Sequence, residues 1–196
     1  MMARAAVEQL RRAELIRAAI DEIGAAGSLD VTVGQIARRA GVSPALAHHY
    51  FGGKEQILIA AMRHILAEYG AEVRAALAAA RDPRARLQAI ITASFSPQNF
   101  RREVISAWLA FYLLARTRPE ARRLLSIYHR RLSANLIHAL RPLAGPRAVA
   151  LAASTGALID GVYLREVLSG GEPDGAAAGA MVVAHVEAAL AAEDRA

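Results

Sequence analysis

Between Thr32 and Lys54 the chain gathers side chains suited to holding a phosphodiester backbone and reading base edges. Lys54 is the single Lys among 24 Lys and Arg residues, and it follows Gly52-Gly53 at the start of an apolar-periodic run. There its ammonium and the unpaired N–H groups of a helix N-terminus would converge on one phosphate. Upstream, Ser43, Pro44, Ala45, His48 and His49 fall on one short helix that could enter a major groove N-terminus first. Tyr50 divides between an inward ring and a hydroxyl that bonds phosphate. Thr32, Gln35 and Arg38 complete the candidate DNA contacts.

The elements that must position these residues are written in their caps. Thr32-Val33-Gly34-Gln35 has the form of a capping box, with Thr32 as N-cap and Gln35 reaching back from the third position. The short helix it opens turns Ile36, Ala37 and Ala40 inward, and Gly41 supplies the left-handed backbone that ends it. Ser43 then caps a second helix with Pro44 in its first turn, where a fixed φ and a missing N–H are harmless. This helix, 43–51, is barely two turns. Two short helices joined by a three-residue glycine turn form a helix-turn-helix. Small Ala37 lets them cross closely, while Val42 and Leu46 fill the angle. Each feature alone suits an ordinary helical hairpin; their combination in so short a span favours DNA contact.

A second group lies further along. Trp108, Phe111 and Tyr112 share a helix face by spacings of three and four, and Asp160 and Tyr163 share another. A carboxylate inside the apolar run 157–162 is costly unless paired. Two arrangements meet that cost. One is a salt bridge to a nearby Arg such as Arg165; the other is a site where aromatic faces and one carboxylate replace the water around a quaternary ammonium. Arg101, Arg102, Arg116, Arg118, Arg122 and Arg123 would repel such a cation, but they fall near helix ends and are expected outside the site. Residues 83–196 hold no phosphate-cradling Gly loop, HExxH or paired carboxylates. The six His are scattered without metal-ligand spacing, and His64 and His138 are expected to be partly buried helix residues. Ser154-Thr155-Gly156 lacks the strand-turn-helix setting of a nucleophile elbow. No catalytic residue, metal or cofactor is expected.

Composition bounds the rest. The 196 residues are 55% hydrophobic, 21% charged and only 5% aromatic, with Ala dominant and no Cys. That balance favours helix over sheet and excludes disorder. Without Cys there is no disulfide frame or thiolate metal site. No wholly apolar run approaches the roughly 20 residues that span a bilayer, and no signal sequence opens the chain, so a cytoplasmic protein without a membrane partner is expected. The net charge of +6 suits nucleic acid but is too spread along the chain to locate a face.

Breakers at 24–30, Gly41, Gly52-Gly53, Asp82-Pro83, Ser96-Pro97, Pro119, 142–146 and 170–173 separate helical spacings. They predict an all-α protein of about nine helices, divided into 1–55, which carries the helix-turn-helix, and 56–196. The first helix turns Leu10, Ala13, Ile16, Ala19, Ile20 and Ile23 to one side. A longer one begins with Ile57, Ala61, Ile65 and Leu66 and runs to about residue 80. The last two, 146–169 and 174–192, have an Ala- and Gly-rich side almost without charge. Packing within one chain or a four-helix seam with a second copy would cover it.

The run from Thr32 to Ser43, with His49-Tyr50-Phe51, Lys54-Glu55 and Leu58, resembles the N-terminal domain of tetracycline-repressor-type regulators. The resemblance implies a three-helix DNA-binding head, a connecting fourth helix, and a body that senses a ligand and forms a homodimer on a palindromic operator. Ala45 stands where that family often has Gly, and His48 where it often has a phosphate-bonding Tyr. Further on, Leu87-Gln88-Ala89-Ile90, Ala107-Trp108-Leu109-Ala110-Phe111, Arg130-Arg131-Leu132-Ser133-Ala134-Asn135-Leu136 and Leu158-Ile159-Asp160-Gly161-Val162-Tyr163-Leu164-Arg165 resemble the choline-responsive repressors of glycine-betaine synthesis. This implies choline as the effector. The residues alone leave open a regulator of efflux or catabolic genes with a bulky apolar ligand, and a cytosolic helical ligand-binding protein or enzyme.

Overall fold

The computed structural model describes residues 2–26 and 30–192, with side chains from residue 6 onward. Among the described residues there are nine α-helices, a 3-10 turn and no strand, in keeping with the all-α expectation. They are α1 (Met2–Ala26), α2 (Val33–Arg39), α3 (Pro44–Phe51), α4 (Lys54–Ala79), α5 (Pro83–Ser94), α6 (Arg102–Thr117), α7 (Pro119–Ala144), the 3-10 turn (Gly145–Arg147), α8 (Ala148–Ser169) and α9 (Gly175–Ala191). The chain forms two compact units, Met1–Ile65 with Arg102–Arg123, and Leu66–Arg101 with Leu124–Ala196.

In the first unit α1 packs on α2 and, most extensively, on α6. Its buried face is Leu15, Ala18, Ala19, Ile20 and Ile23, so the expected stripe holds at Ala19, Ile20 and Ile23, whereas Leu10 is 56% exposed and Ala13 and Ile16 are half-buried. The stripe departs from the expected spacing only at its N-terminal end, because burial along α1 sets in at Leu15. The α2–α3 turn forms as its caps predict. Thr32 Oγ1 accepts the Gln35 N–H at 3.2 Å, and Gln35 Oε1 accepts the Thr32 N–H at 2.7 Å. Ser43 Oγ accepts from Leu46 N–H at 3.2 Å. Gly41, at φ +67°, adopts the left-handed conformation that ends α2. Ala37 and Ala47 are both fully buried, so small side chains close this corner, while Val42 and Leu46 are only half-buried.

In the second unit α9 packs against both α5 and α8. Asp82 caps α5 and Asp174 caps α9, each accepting an N–H three residues on at 2.9 Å. An ion pair joins Arg84 of α5 to Glu187 of α9. Leu87, Ile90 and Ile91 of α5, Leu136 and Leu140 of α7, Ile159 of α8, and Val182 and Val186 of α9 are buried. The break expected at 142–146 is present: α7 ends at Ala144, with Pro142 in its last turn, and Gly145, φ +50°, opens the 3-10 turn. One expectation fails here. His138 is exposed, since it lies two residues from buried Leu136 and Leu140 and so on the opposite side of the helix. The stretch 119–169 passes for a membrane span by length and composition, but it is two helices separated by the 3-10 turn.

Candidate functional site

The residues expected to meet DNA all lie in the first unit. Thr32, Gln35, Arg38, Ser43, Pro44, Ala45, His48 and His49 are exposed; Tyr50 and Lys54 are half-buried. With Ala47 turned inward, Pro44, Ala45, His48 and His49 remain as the open side of α3. The Nδ1–H of His48 donates to the Gly52 carbonyl at 3.2 Å, which leaves Nε2 as the outward atom. The Tyr50 ring has the Arg12 guanidinium 5.4 Å from its centroid, and Phe51 has it at 5.8 Å. This cation–π contact ties α1 to the end of α3. Arg12 was not singled out by spacing, because it sits among several Arg of an exposed face.

Charge around this surface is sorted by pairing. Arg39 is held by Glu22 at 2.6 Å, a bond that raises its already high pKa. Glu55, next to Lys54, is occupied by Arg118. Arg38 and Lys54 have no carboxylate partner among the described residues. Two cations therefore remain to offset phosphate.

The residues expected to meet an effector fall in both units. On α6, Trp108 is 5.6 Å from Tyr112 and 6.4 Å from Phe111, ring centre to ring centre. Phe111 is buried and faces the same small void as Ile23, Leu58 and Met62. Trp108 is buried and Tyr112 half-buried.

On α8, Asp160 and Tyr163 have different neighbours. Asp160 Oδ2 lies 3.5 Å from His129 Nε2 on α7. The suggested partner Arg165 is exposed instead, as five positions along a helix turn a side chain about 140° away. The Tyr163 hydroxyl donates to the carbonyls of Ser94 and Asn99, and its ring packs 5.0 Å from Phe100 and 5.8 Å from Phe95.

Around Asp160 the structure adds residues that spacing did not reveal. Burial pushes the Tyr69 phenol up; its hydrogen bond with Ser94 Oγ, 3.2 Å, opposes this, and the charges of Glu72 and Asp160 add to it. Tyr69 meets Tyr128 edge-on at 5.9 Å, and Tyr128 lies 5.3 Å from the His129 ring. Glu72 accepts from Ser96 Oγ at 3.0 Å and from the buried Asn99 amide at 2.7 Å. The available signal was the pairing of scarce tyrosines with ionisable neighbours, Tyr69 with Glu72 three residues on and Tyr128 with adjacent His129.

Residues 15–61 match the tetR family of bacterial regulatory proteins, and residues 83–191 match the C-terminal region of BetI-type transcriptional repressors. The HTH-type transcriptional regulator BetI of Brucella anthropi is 50% identical over 193 residues, 98% of this chain and 100% of that protein. A putative transcriptional regulator from Pseudomonas aeruginosa PAO1 shares the fold with a TM-score of 0.78 at 27% identity, over 95% of this chain and 93% of its own. A putative transcriptional regulator from Saccharomonospora viridis, solved in complex with choline, does so with a TM-score of 0.76 at 22% identity, over 90% and 95%. The chain belongs to the tetR family of bacterial regulatory proteins, and within it to the BetI-type transcriptional repressors. These relatives are regulators of transcription, as the helix-turn-helix implies, and not enzymes.

Proposed function

We propose that the protein is a homodimeric one-component repressor that choline releases from a palindromic operator, controlling genes of glycine-betaine synthesis in the cytoplasm. DNA contacts are assigned to 1–55, and effector and dimer contacts to 56–196. The observation that carries the DNA assignment is the open side of α3 beside unpaired Arg38 and Lys54. Thr32, Gln35, Ser43, Pro44, Ala45, His48, His49 and Tyr50 supply the remaining contacts. Dimerisation accords with the large apolar side chains exposed on α8 and α9, Val149, Leu164, Leu168 and Met181, which a second copy would cover.

For the effector, Trp108, Tyr112, Asp160 and Tyr163 are the assigned side chains, with Phe111 supporting Trp108. Desolvated aromatic faces and a carboxylate suit a quaternary ammonium, and the choline-bound fold neighbour supports the same ligand class. Release follows if choline binds the DNA-incompetent conformation more tightly than the competent one. A mobility-shift titration against DNA upstream of the adjacent genes tests the reading. The expected result is a retarded band that choline disperses; retardation indifferent to choline would assign the repressor another effector, and no retardation would remove the DNA assignment.

A further inference from the structure

Glu72 of α4 is a half-buried carboxylate with no cationic partner among the described residues. Only its Oε2 is engaged: Ser96 Oγ donates to it at 3.0 Å and the Asn99 amide at 2.7 Å. Its Oε1 accepts no hydrogen bond among the described residues. Both donors are neutral and buried, so they fix the carboxylate in place and leave it its full charge. Asn99 is anchored in turn, its amide donating also to the Ala93 carbonyl at 2.9 Å and its own carbonyl accepting from the Tyr163 hydroxyl at 3.3 Å. A partly desolvated charge held by neutral groups alone is a net cost to the folded chain until an opposite charge meets it.

The nearby hydroxyls are committed elsewhere. Ser94 Oγ donates to the Ile90 carbonyl at 3.0 Å, so in its 3.2 Å contact with Tyr69 it accepts, and the phenol proton is spent there. The charges of Glu72 and Asp160 both reach that phenol, so two carboxylates act on one aromatic side chain, whose ring meets Tyr128 edge-on at 5.9 Å. Asp160 has His129 Nε2 at 3.5 Å. Glu72 has no such partner.

Of the cations that could meet Glu72, a quaternary ammonium suits the setting. It has no N–H to donate, so it needs negative charge and aromatic faces rather than a ring of acceptors. A divalent metal would need several oxygen ligands, and among the described residues no three His, Asp or Glu side chains are grouped to provide them. We propose that Glu72 is a second counter-charge for the quaternary ammonium of the effector, in addition to Asp160, with Tyr69 and Tyr128 as aromatic faces beside it. This rests on choline as the effector, and adds the residues that distinguish a cation from a neutral molecule of the same shape. All of them lie in the second unit.

Calorimetric titration of the full-length protein compares choline with the isosteric neutral alcohol in which carbon replaces the nitrogen. The wild type is expected to prefer choline, and Glu72→Gln to weaken choline roughly tenfold or more while changing the neutral alcohol little. Gln keeps an oxygen for Ser96 and Asn99, so the preference should fall without a lower thermal midpoint. A second measurement needs no variant. Carbodiimide coupling of glycine ethyl ester to the wild-type carboxylates, read by mass spectrometry, should be slowed by choline at Glu72 and not at exposed Glu8. An unchanged preference in Glu72→Gln, an equal loss of both ligands, or coupling at Glu72 that choline does not slow would overturn the role of Glu72 and leave choline as the effector. A wild type that binds neither ligand would overturn the choline reading as well.

Discussion

Gly24 of α1 approaches Glu103 of α6 so closely that a Cβ built on the glycine would lie 2.5 Å from the glutamate Cγ and 2.6 Å from its Cα. The second of these atoms is backbone and cannot swing aside. The two helices thus meet almost main chain to main chain, within the unit that also carries the DNA-contact residues. The helix bearing Trp108 and Tyr112 is therefore packed directly on the scaffold of the helix-turn-helix, without an intervening layer of side chains at this point.

Replacing Gly24 with Ala pits two effects against each other. Helix propensity favours Ala by about 1 kcal/mol, while overpacking a close contact costs about 1–3 kcal/mol. Because the obstacle is backbone, the second should win. Gly24→Ala is expected to lower the thermal midpoint and weaken operator binding. A calorimetric scan showing an unchanged or higher midpoint would mean that α6 yields at no cost.

Local features were legible in the sequence and tertiary ones were not. The caps at Thr32 and Ser43, and the left-handed Gly41, follow from side-chain chemistry within four residues. They fix where helices begin and end with little help from the rest of the fold. What decided the buried stripe of α1 was the packing of α6, distant in sequence, and nothing in the spacing of Leu10 or Leu15 encodes that partner. The setting of Asp160 shows the same limit. Its position in an apolar run announced a need for compensation, but His129 and Tyr69 come from α7 and α4, and only the folded chain brings them near.

Lys54 is expected to act on phosphate without reading sequence. Lys54→Ala should weaken binding to operator and random DNA alike and reduce the slope of log K against log salt by about one unit. Loss of discrimination between the two DNAs at an unchanged slope would place the ammonium elsewhere. His49→Ala, by comparison, should reduce operator affinity through a groove or phosphate contact, and wild-type binding would make that residue plain surface.

The dimer seam is testable without DNA. Ala157 is exposed on α8, so an arginine there should be tolerated by an isolated chain. In a seam the same charge would be buried without a partner, at a cost of several kcal/mol. Ala157→Arg is therefore expected to sediment at half the wild-type mass, fold normally by circular dichroism and lose operator affinity. A folded variant that remains dimeric would move the interface away from this part of α8.

The effector assignment divides into a charge part and an aromatic part. Asp160→Asn keeps the shape and most hydrogen bonding of the carboxylate and removes only its charge, so any loss of choline affinity reports electrostatics. Betaine carries an additional carboxylate and should bind the wild type less well than choline, a difference that Asp160→Asn should narrow. Trp108→Ala removes a cation–π contact of about 1–2 kcal/mol in a desolvated site, which corresponds to a weakening of roughly fivefold to thirtyfold. Calorimetric titration of the three proteins with both ligands separates these contributions. Equal affinities of the wild type for choline and betaine would exclude Asp160 as the counter-charge. A choline affinity untouched by Trp108→Ala would exclude the indole, leaving the tyrosines near Asp160 as the aromatic faces to mutate next.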